Sequence, residues 1–266
     1  MTIPYITPKQ QKITKLLYKF RFLNRLHIQK LLKHKDKRRI NSWLKDLSAK
    51  EYLEKVSDDS TNSPTGQKKL AVYRIGINGI RFLKTQDTVD KTLLHKLYRE
   101  QDRSEEFIAH NLFLTGIFLN LTADTTGKDS LTFLTQSDYS PADSATLLTK
   151  LSPDAYITRR KGQGKTKQYL LHDIPESMLR FRSFKLRKKI RDYIDYLFTS
   201  EWENETKTNF PILLFILPDM AALIYLQRYI QKILNDNDHP KIDIWLQTKA
   251  KIQKQGFTGT SWEEVE

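Results

Sequence analysis

The sequence predicts an α/β protein, α+β overall, built from two dissimilar parts, and three observations support this. Apolar residues recur at helical spacing in three consecutive segments before residue 50. Beyond residue 94, the predicted elements are a helix, three strands, a helix, a strand, a helix and a strand. The whole net charge of +14 lies in residues 1–98, with 22 Lys and Arg against 8 Asp and Glu, whereas the rest has 23 of each. Such asymmetry favours a polyanion-binding module joined to a neutral one.

The first two helices are predicted from capping and spacing. Thr7 and Pro8 open the first, and the second covers about residues 25–33 after a short break. Their inward-facing apolar residues are Ile13, Leu16, Leu17, Phe20, Ile28, Leu31 and Leu32. Two residues, His34 and Lys35, separate the second helix from the third, which is as short a link as a helix-turn-helix requires.

The third helix, over residues 36–48, has two contrasting faces. Asp36 is its predicted N-cap. The spacing of Ile40, Trp43, Leu44 and Leu47 predicts one buried stripe. The opposite face carries side chains that can bond base edges or neutralise phosphate. We expect major-groove contacts from Arg38, Arg39, Asn41, Ser42 and Lys45, and a phosphate contact from Lys37. The alternative interpretation is a solvated face on a basic protein.

Two alternating segments, 51–56 and 70–75, predict strands on either side of a polar tip. Lys68 and Lys69 lie at the returning edge of this hairpin and are expected to contact phosphates, although a plain exposed loop is the alternative. Three helices followed by such a hairpin make a winged helix, and a short helix at 77–83 closes it. We therefore predict a winged helix-turn-helix DNA-binding domain over residues 1–90.

Residues 91–248 are predicted to form an α/β domain with a mixed central sheet. A long helix over about 94–120 comes first. Strands are expected near 131–134, 152–157, 168–174, 210–217 and 242–246, with helices after the third and fourth of them. The continuous apolar run 210–217 is typical of a strand buried on both faces. Residues 249–266 are expected to form a loosely ordered tail.

The helix after the third strand is basic from Arg180 to Arg191, and two interpretations stay open. It could be a second phosphate-contacting surface. It could equally be a solvated face, because acidic residues follow it and this part of the chain sums to zero charge.

Several site classes are excluded by composition and spacing. There is no cysteine, hence no disulfide, thiolate metal site or cysteine nucleophile. The six His residues lack metal-ligand spacing. The glycines of 162–165 lack the spacing of a P-loop. We therefore predict no catalytic residue, no metal and no cofactor. The longest apolar run is too short to span a bilayer and no signal segment is visible, so a cytoplasmic location is expected.

The second domain resembles the restriction-endonuclease-like core. The resemblance rests on Pro153 and Asp154 at a strand start, a second strand about 18 residues on, and a basic helix that ends in Tyr193 and Tyr196. With a winged helix in front, the whole chain resembles the replication-relaxation family of plasmid and mobile-element proteins. That resemblance implies DNA binding in plasmid replication, and in the DNA relaxation that accompanies mobilisation.

The nuclease core uses an Asp, then a carboxylate and a Lys two residues apart on the next strand, to hold a divalent metal and activate water. Asp154 matches the first position, and the second falls on His172 or, with a one-residue slip, on Asp173. The Lys position then falls on Ile174 or Pro175, so neither register supplies both groups. The expected vestigial positions are Asp154, His172, Asp173 and Lys185, the last of which could reach inward from the next helix. Otherwise Asp154 is a turn residue and His172 a hydrogen-bonded core residue.

The leading hypothesis is a DNA-binding protein without catalysis of its own. Its expected partner is double-stranded DNA, with replication or relaxase proteins and a second copy of the chain as further candidates, and no membrane. One alternative is a metal-dependent endonuclease with a site rebuilt around Asp154, Asp173 and Lys185. The other is a transcription regulator whose second domain dimerises or senses a ligand.

Overall fold

A computed structural model of the chain describes residues 3–56, 70–86, 89–100, 103–139, 145–236 and 241–265. The chain divides into two compact units, Met1–Leu119 and Asn120–Glu266, whereas the sequence suggested a boundary near residue 90. Among the described helices, none combines the length and the apolar character that crossing a bilayer requires.

The first unit sets a small antiparallel sheet among helices. Its elements are α1 (Pro8–Phe20), β1 (Leu23–Asn24), α2 (Arg25–Leu31), α3 (Lys37–Ala49), β2 (Leu53–Lys55), β3 (Val72–Ile75), α4 (Ile77–Lys84) and α5 (Lys91–Tyr98), and α6 (Glu105–Ala123) crosses the boundary. The strands lie in the order β1-β3-β2. Leu23 is opposite Tyr73, and Leu53 is opposite Ile75, so β3 is the central strand.

Side-chain caps mark the starts of three helices of the first unit, α2, α3 and α5. Asp36 Oδ1 accepts hydrogen bonds from the backbone N–H groups of Arg38 and Arg39, at 2.7 and 3.3 Å. Asn24 and Asp90 cap α2 and α5 in the same way. Because these oxygens satisfy amides that have no partner inside the helix, each cap fixes a first turn. The predicted cap at Asp36 is confirmed.

The first three helices bury most of the apolar residues that their spacing placed inward, whereas Leu16, Leu31 and Leu32 are half-buried. The fully buried members are Ile13, Leu17, Phe20, Ile28, Ile40, Leu44 and Leu47. Trp43 was expected in the same stripe, but it is half-buried. Since its ring lies at the edge of α3, it borders both the core and the solvated face.

The long helix predicted over residues 94–120 is in fact two helices, α5 and α6. Glu100 lies in the segment between them and is 2% exposed, with its carboxylate 3.2 Å from the guanidinium of Arg21. Ser104 Oγ then accepts from the N–H of Phe107 and starts α6. The charged residues of this segment are compatible with a helix by periodicity alone, so the sequence did not show the break.

A mixed sheet organises the second unit, as predicted, but it has six strands where the sequence predicted five. The elements after α6 are β4 (Ser130–Thr135), α7 (Ala145–Leu151), β5 (Ala155–Arg160), β6 (Lys167–Asp173), α8 (Glu176–Leu197), α9 (Glu201–Thr206), β7 (Ile212–Leu217), α10 (Met220–Asp236), β8 (Ile244–Thr248), α11 (Lys249–Gln255) and β9 (Glu263–Val265). The strand order follows the chain. Strands β4, β5 and β6 form an antiparallel meander, β7 and β8 continue parallel to β6, and β9 is antiparallel to β8.

Strand β7 is buried on both faces, which explains its continuous apolar run. On one face, Leu213 and Phe215 pack in a core that includes Leu186 of α8 and Leu226 of α10. On the other face, Leu214 lines a small cavity together with residues from the end of α6 and from the segment after α11. The central position of β7 therefore depends on both sets of helices.

The expectation of a loosely ordered tail after residue 248 does not match the described part of this segment. Residues 249–255 form α11, and β9 pairs with β8, with Val265 in the main core. Phe257 is buried, and Gln247 Nε2 donates to the carbonyl of Ser261 at 2.6 Å. Gly256 has φ +78°, and a Cβ there would lie 2.8 Å from Asn120 Oδ1. A left-handed glycine and one added strand pairing thus hold the tail in place.

Candidate nucleic-acid interface

The front of α3 is fully presented to solvent. The six residues predicted to contact DNA from this helix are all exposed: Lys37, Arg38, Arg39, Asn41, Ser42 and Lys45. Its back is the buried stripe of Ile40, Leu44 and Leu47. The helix therefore has one face that packs and one face with guanidinium, amide, hydroxyl and ammonium groups, the donors that suit base edges and phosphates.

Trp43 connects the two faces of α3. The guanidinium of Arg39 lies 5.8 Å from the centroid of the Trp43 ring, within cation–π range. The ring of His34, in the link before the helix, contacts the same indole edge-to-face with centroids 5.1 Å apart. Because one aromatic ring contacts both neighbours, the position of Arg39 is restricted relative to that of a freely extended arginine.

A polar network fixes the far end of α3 against α1. Gln10 Nε2 donates to Asp46 Oδ2 at 2.6 Å, and Lys50 Nζ donates to the same oxygen at 3.0 Å. The hydrogen bonds from Lys50 and Gln10 lower the pKa of the Asp46 carboxyl. Asn78 Nδ2 donates to the carbonyl of Lys50 at 2.9 Å, which adds α4 to the network. The exposed face of α3 is thus held at both ends, by Asp36 and by Asp46.

The stem of the hairpin is described, whereas its tip is not. Strands β2 and β3 pair with Glu54 opposite Arg74, and the N–H of Val56 donates to the carbonyl of Val72. The predicted phosphate contacts Lys68 and Lys69 lie outside the described residues.

In the second unit the folded chain brings Asp154 and Asp173 together. Asp154 Oδ2 accepts from the backbone N–H of Asp173 at 2.8 Å, and the N–H of Asp154 donates to the carbonyl of Leu171 at 2.9 Å. Asp154 therefore acts as a turn residue that joins the start of β5 to the end of β6. The two positions where the nuclease motif would place its lysine hold no group that could act in such a site. Ile174 is buried in the core, and Pro175 is the N-cap of α8.

His172 is a core residue. It is 1% exposed, its ring is stacked on Phe215, and its Nε2 lies 2.7 Å from Tyr193 Oη. The Tyr193 hydroxyl donates to the carbonyl of Leu151 at 3.0 Å. Since a carbonyl can only accept, that bond uses the one hydroxyl proton and His172 Nε2–H must be the donor to Tyr193. Burial lowers the pKa of His172 well below its ordinary value.

The lysine beside Asp173 is Lys249, which the sequence did not single out. Its Nζ lies 2.9 and 3.2 Å from the two carboxylate oxygens of Asp173. Lys185, the predicted candidate, is exposed on α8 and lines a separate cavity. The sequence does show a lysine directly after the last predicted strand. It does not show that the end of this strand, β8, lies close to the end of β6. Over the described ranges, no cluster of three or more His, Asp or Glu side chains is arranged to hold a metal ion.

Comparison with known proteins identifies a family for this chain. A family model described as Replication-relaxation matches residues 15–213, which is more than half of the chain. No curated protein and no solved structure is significantly similar to the chain. The match contains α3, Asp154 and Asp173, whereas Lys249 lies beyond it.

Proposed function

Because the chain belongs to the replication-relaxation family, we propose that it binds duplex DNA through α3 and acts without catalysis of its own. The family suggests a role in the replication or relaxation of a plasmid or another mobile element. The observation that carries the proposal is the exposed face of α3, where Arg38, Asn41 and Lys45 share one solvated side above a buried apolar back.

The order of elements in the first unit supports a winged helix-turn-helix. A helix, a short strand, two helices and a two-stranded hairpin follow one another, and β1 pairs with the returning strand β3. In helix-turn-helix proteins the second helix of the motif enters the major groove, and here that helix is α3. Residues 1–98 carry the entire excess of positive charge, which is the expected electrostatic footprint of a duplex-binding module.

The second unit supports a nuclease-like fold that has lost its chemistry. After α6 come the antiparallel strands β4, β5 and β6, then α8 and the strand β7, which is parallel to β6. This order is compatible with the restriction-endonuclease-like core, and α7 and α9 are additional to it. Asp154 bonds backbone, and Asp173 is paired with Lys249. The carboxylates are therefore used in bonds within the protein, and this supports a structural role for them.

The test of duplex binding is selection of bound DNA from a random duplex pool at physiological salt. We expect an enriched sequence with the parent protein and loss of that preference with Arg38→Ala plus Asn41→Ala, because these side chains can bond guanine and adenine edges. Lys15→Ala, an exposed residue of α1, is the matched control and should enrich the same sequence. An unchanged preference in the double variant would contradict the role of α3.

A metal-dependent endonuclease is the second candidate, because two carboxylates and a lysine do meet at Asp154, Asp173 and Lys249. Supercoiled plasmid incubated with the protein and Mg²⁺ or Mn²⁺ separates the two functions. Our proposal expects no nicking above that of an Asp154→Ala preparation. Nicking by the parent that this substitution abolishes would establish the enzyme instead.

A further inference from the structure

A cavity in the second unit combines positive charge with an exposed aromatic ring. It lies between α7 and α8, and its volume is about 510 Å³. Cavities of roughly 300–1,000 Å³ are typical of ligand sites. Its lining includes Lys150, Lys185, Lys188, Lys189 and Phe184. Of these five residues, Lys185 alone is among the predicted nuclease-like positions, and none lies on α3.

The charge in this cavity is unbalanced. Among the described residues that line it, Asp192 is the single carboxylate against four lysines. Lys150 is paired with Glu201, and Lys189 Nζ donates to the carbonyl of Ser152 at 3.0 Å. Lys185 and Lys188 are exposed, three residues apart on one helix face. Like charges at this spacing repel, so a bound anion would relieve a repulsion that the protein otherwise carries.

Two helices contribute to this concentration of charge, which a merely solvated basic helix does not explain. Lys150 comes from α7, whereas the other three lysines come from α8. Burial lowers the pKa of Lys189, although the charges of Asp154 and Asp192 oppose that effect. A lysine held partly out of water gains more from an anionic ligand than an exposed one does, because its hydration has already been lost.

Phe184 provides an aromatic ring at this cavity. Its side chain is 57% exposed, and it lies four residues before Lys188 on α8, so these two residues share one helix face. Tyr196 also lines the cavity, and its buried hydroxyl has no hydrogen-bond partner among the described residues. Lysines next to an accessible aromatic ring are the combination that single-stranded nucleic acids require, with phosphates on the cations and a base stacked on the ring.

We propose that this cavity binds single-stranded DNA, with a base on Phe184 and neighbouring phosphates on Lys185, Lys188 and Lys150. A single strand fits better than a duplex, because paired bases are stacked inside a duplex and cannot stack on a protein ring without unpairing. DNA replication and relaxation both expose such strands. The inference does not depend on duplex binding by α3, and it goes beyond that proposed function.

The test is fluorescence anisotropy of the full chain with a labelled oligothymidine strand. Phe184→Ala should weaken binding roughly five- to hundredfold, the fold-change that loss of one stacked base produces. Lys185→Gln plus Lys188→Gln should lower the slope of log K against log salt by about 1.4, since each single-strand phosphate contact contributes about 0.7. Lys232→Gln plus Lys254→Gln, two exposed lysines outside the lining, form the matched control and should bind as the parent does.

Failure of this inference and failure of duplex binding are distinguishable. Arg38→Ala plus Asn41→Ala should keep single-strand affinity while it changes duplex preference. Absence of binding to the strand, or equal binding by the parent and the Phe184→Ala variant, would overturn the proposal. If thymidine monophosphate displaced the labelled strand as well as unlabelled oligonucleotide does at equal molar concentration, the cavity would be a nucleotide site and the proposal of single-strand binding would be wrong. A lysine variant that weakens duplex and single strand equally would show a general phosphate surface instead.

Discussion

Lys249 donates to both carboxylate oxygens of Asp173, at 2.9 and 3.2 Å, although the two residues are 76 positions apart in the chain. The Asp173 side chain is 1% exposed, whereas that of Lys249 is 27% exposed. Since an ionised carboxylate in a buried place is costly without a partner, the pair ties the end of β6 to the start of α11. It also occupies the oxygens that a divalent cation would need.

Replacement of Lys249 should therefore destabilise the second unit. We expect Lys249→Met to lower the free energy of unfolding by about 1–3 kcal/mol, because it leaves a buried carboxylate without its partner. The loss should be smaller than the about 3–5 kcal/mol of a fully buried pair, since water reaches the lysine. Urea denaturation of the full chain measures it. Lys254→Met, an exposed residue of the same helix, is the control and should change little.

A double substitution distinguishes a lost ion pair from lost packing of the lysine chain. Lys249→Met alone leaves the charge of the Asp173 carboxylate without its lysine. Asp173→Asn combined with Lys249→Met also removes that charge, so the double variant should recover part of the stability lost by Lys249→Met. If the two substitutions were simply additive, the ion pair would not be the source of the effect.

Duplex binding should depend steeply on salt. If six to eight phosphates are neutralised by the first unit, affinity should fall roughly a thousandfold or more between low and moderate salt, because each contact releases counterions. Within that background, Arg38→Ala or Asn41→Ala should each cost about 1–3 kcal/mol on the preferred sequence. Lys68→Ala should instead weaken all sequences alike. Anisotropy titrations at several salt concentrations measure both effects, and an affinity that does not change with salt would contradict the model of phosphate contacts.

The N-cap of α3 is a separable contribution to its stability. Asp36→Ala should destabilise the first unit by about 0.5–2 kcal/mol, because the N–H groups of Arg38 and Arg39 lose their acceptor. Asp36→Asn keeps a capping oxygen and is the matched control. Thermal unfolding of the three proteins provides the measurement. Equal losses in both variants would indicate that the charge of Asp36, not its hydrogen bonds, is what matters.

Local patterns predicted a large part of the fold. The cap at Asp36 and the stripe of Ile40, Leu44 and Leu47 are properties of adjacent residues, so the sequence alone located α3 and its exposed face. The sequence also predicted that β7 is buried on both faces, because an uninterrupted apolar run places apolar side chains on both sides of the sheet. The break between α5 and α6 was missed, because it depends on the contact between Glu100 and the distant Arg21.

The candidate positions of the second unit show the same limit. Asp154 and Asp173 were identified because one lies at a strand start and the other at the end of the next strand along the chain, and these two strands pair. Lys249 was not, since its place beside Asp173 follows from the parallel addition of β7 and β8, which no local pattern specifies. The cavity at Phe184 could not be predicted from the sequence either, because Lys150 lies beside α8 only through tertiary packing.

Acid should destabilise the protein through His172, which is buried, and His27, which is half-buried. Burial, with a smaller effect of Lys30, lowers the pKa of His27 to about 4, and burial lowers the pKa of His172 well below its ordinary value. Between pH 6.5 and 4, these histidines therefore bind protons in the unfolded chain but stay neutral in the folded chain. The free energy of unfolding therefore decreases as the pH is lowered through this range. His27→Leu should flatten that fall, whereas His95→Leu, an exposed residue of α5, should not. The measurement is the free energy of unfolding at several pH values, and a His27→Leu slope identical to that of the parent would place the proton uptake elsewhere.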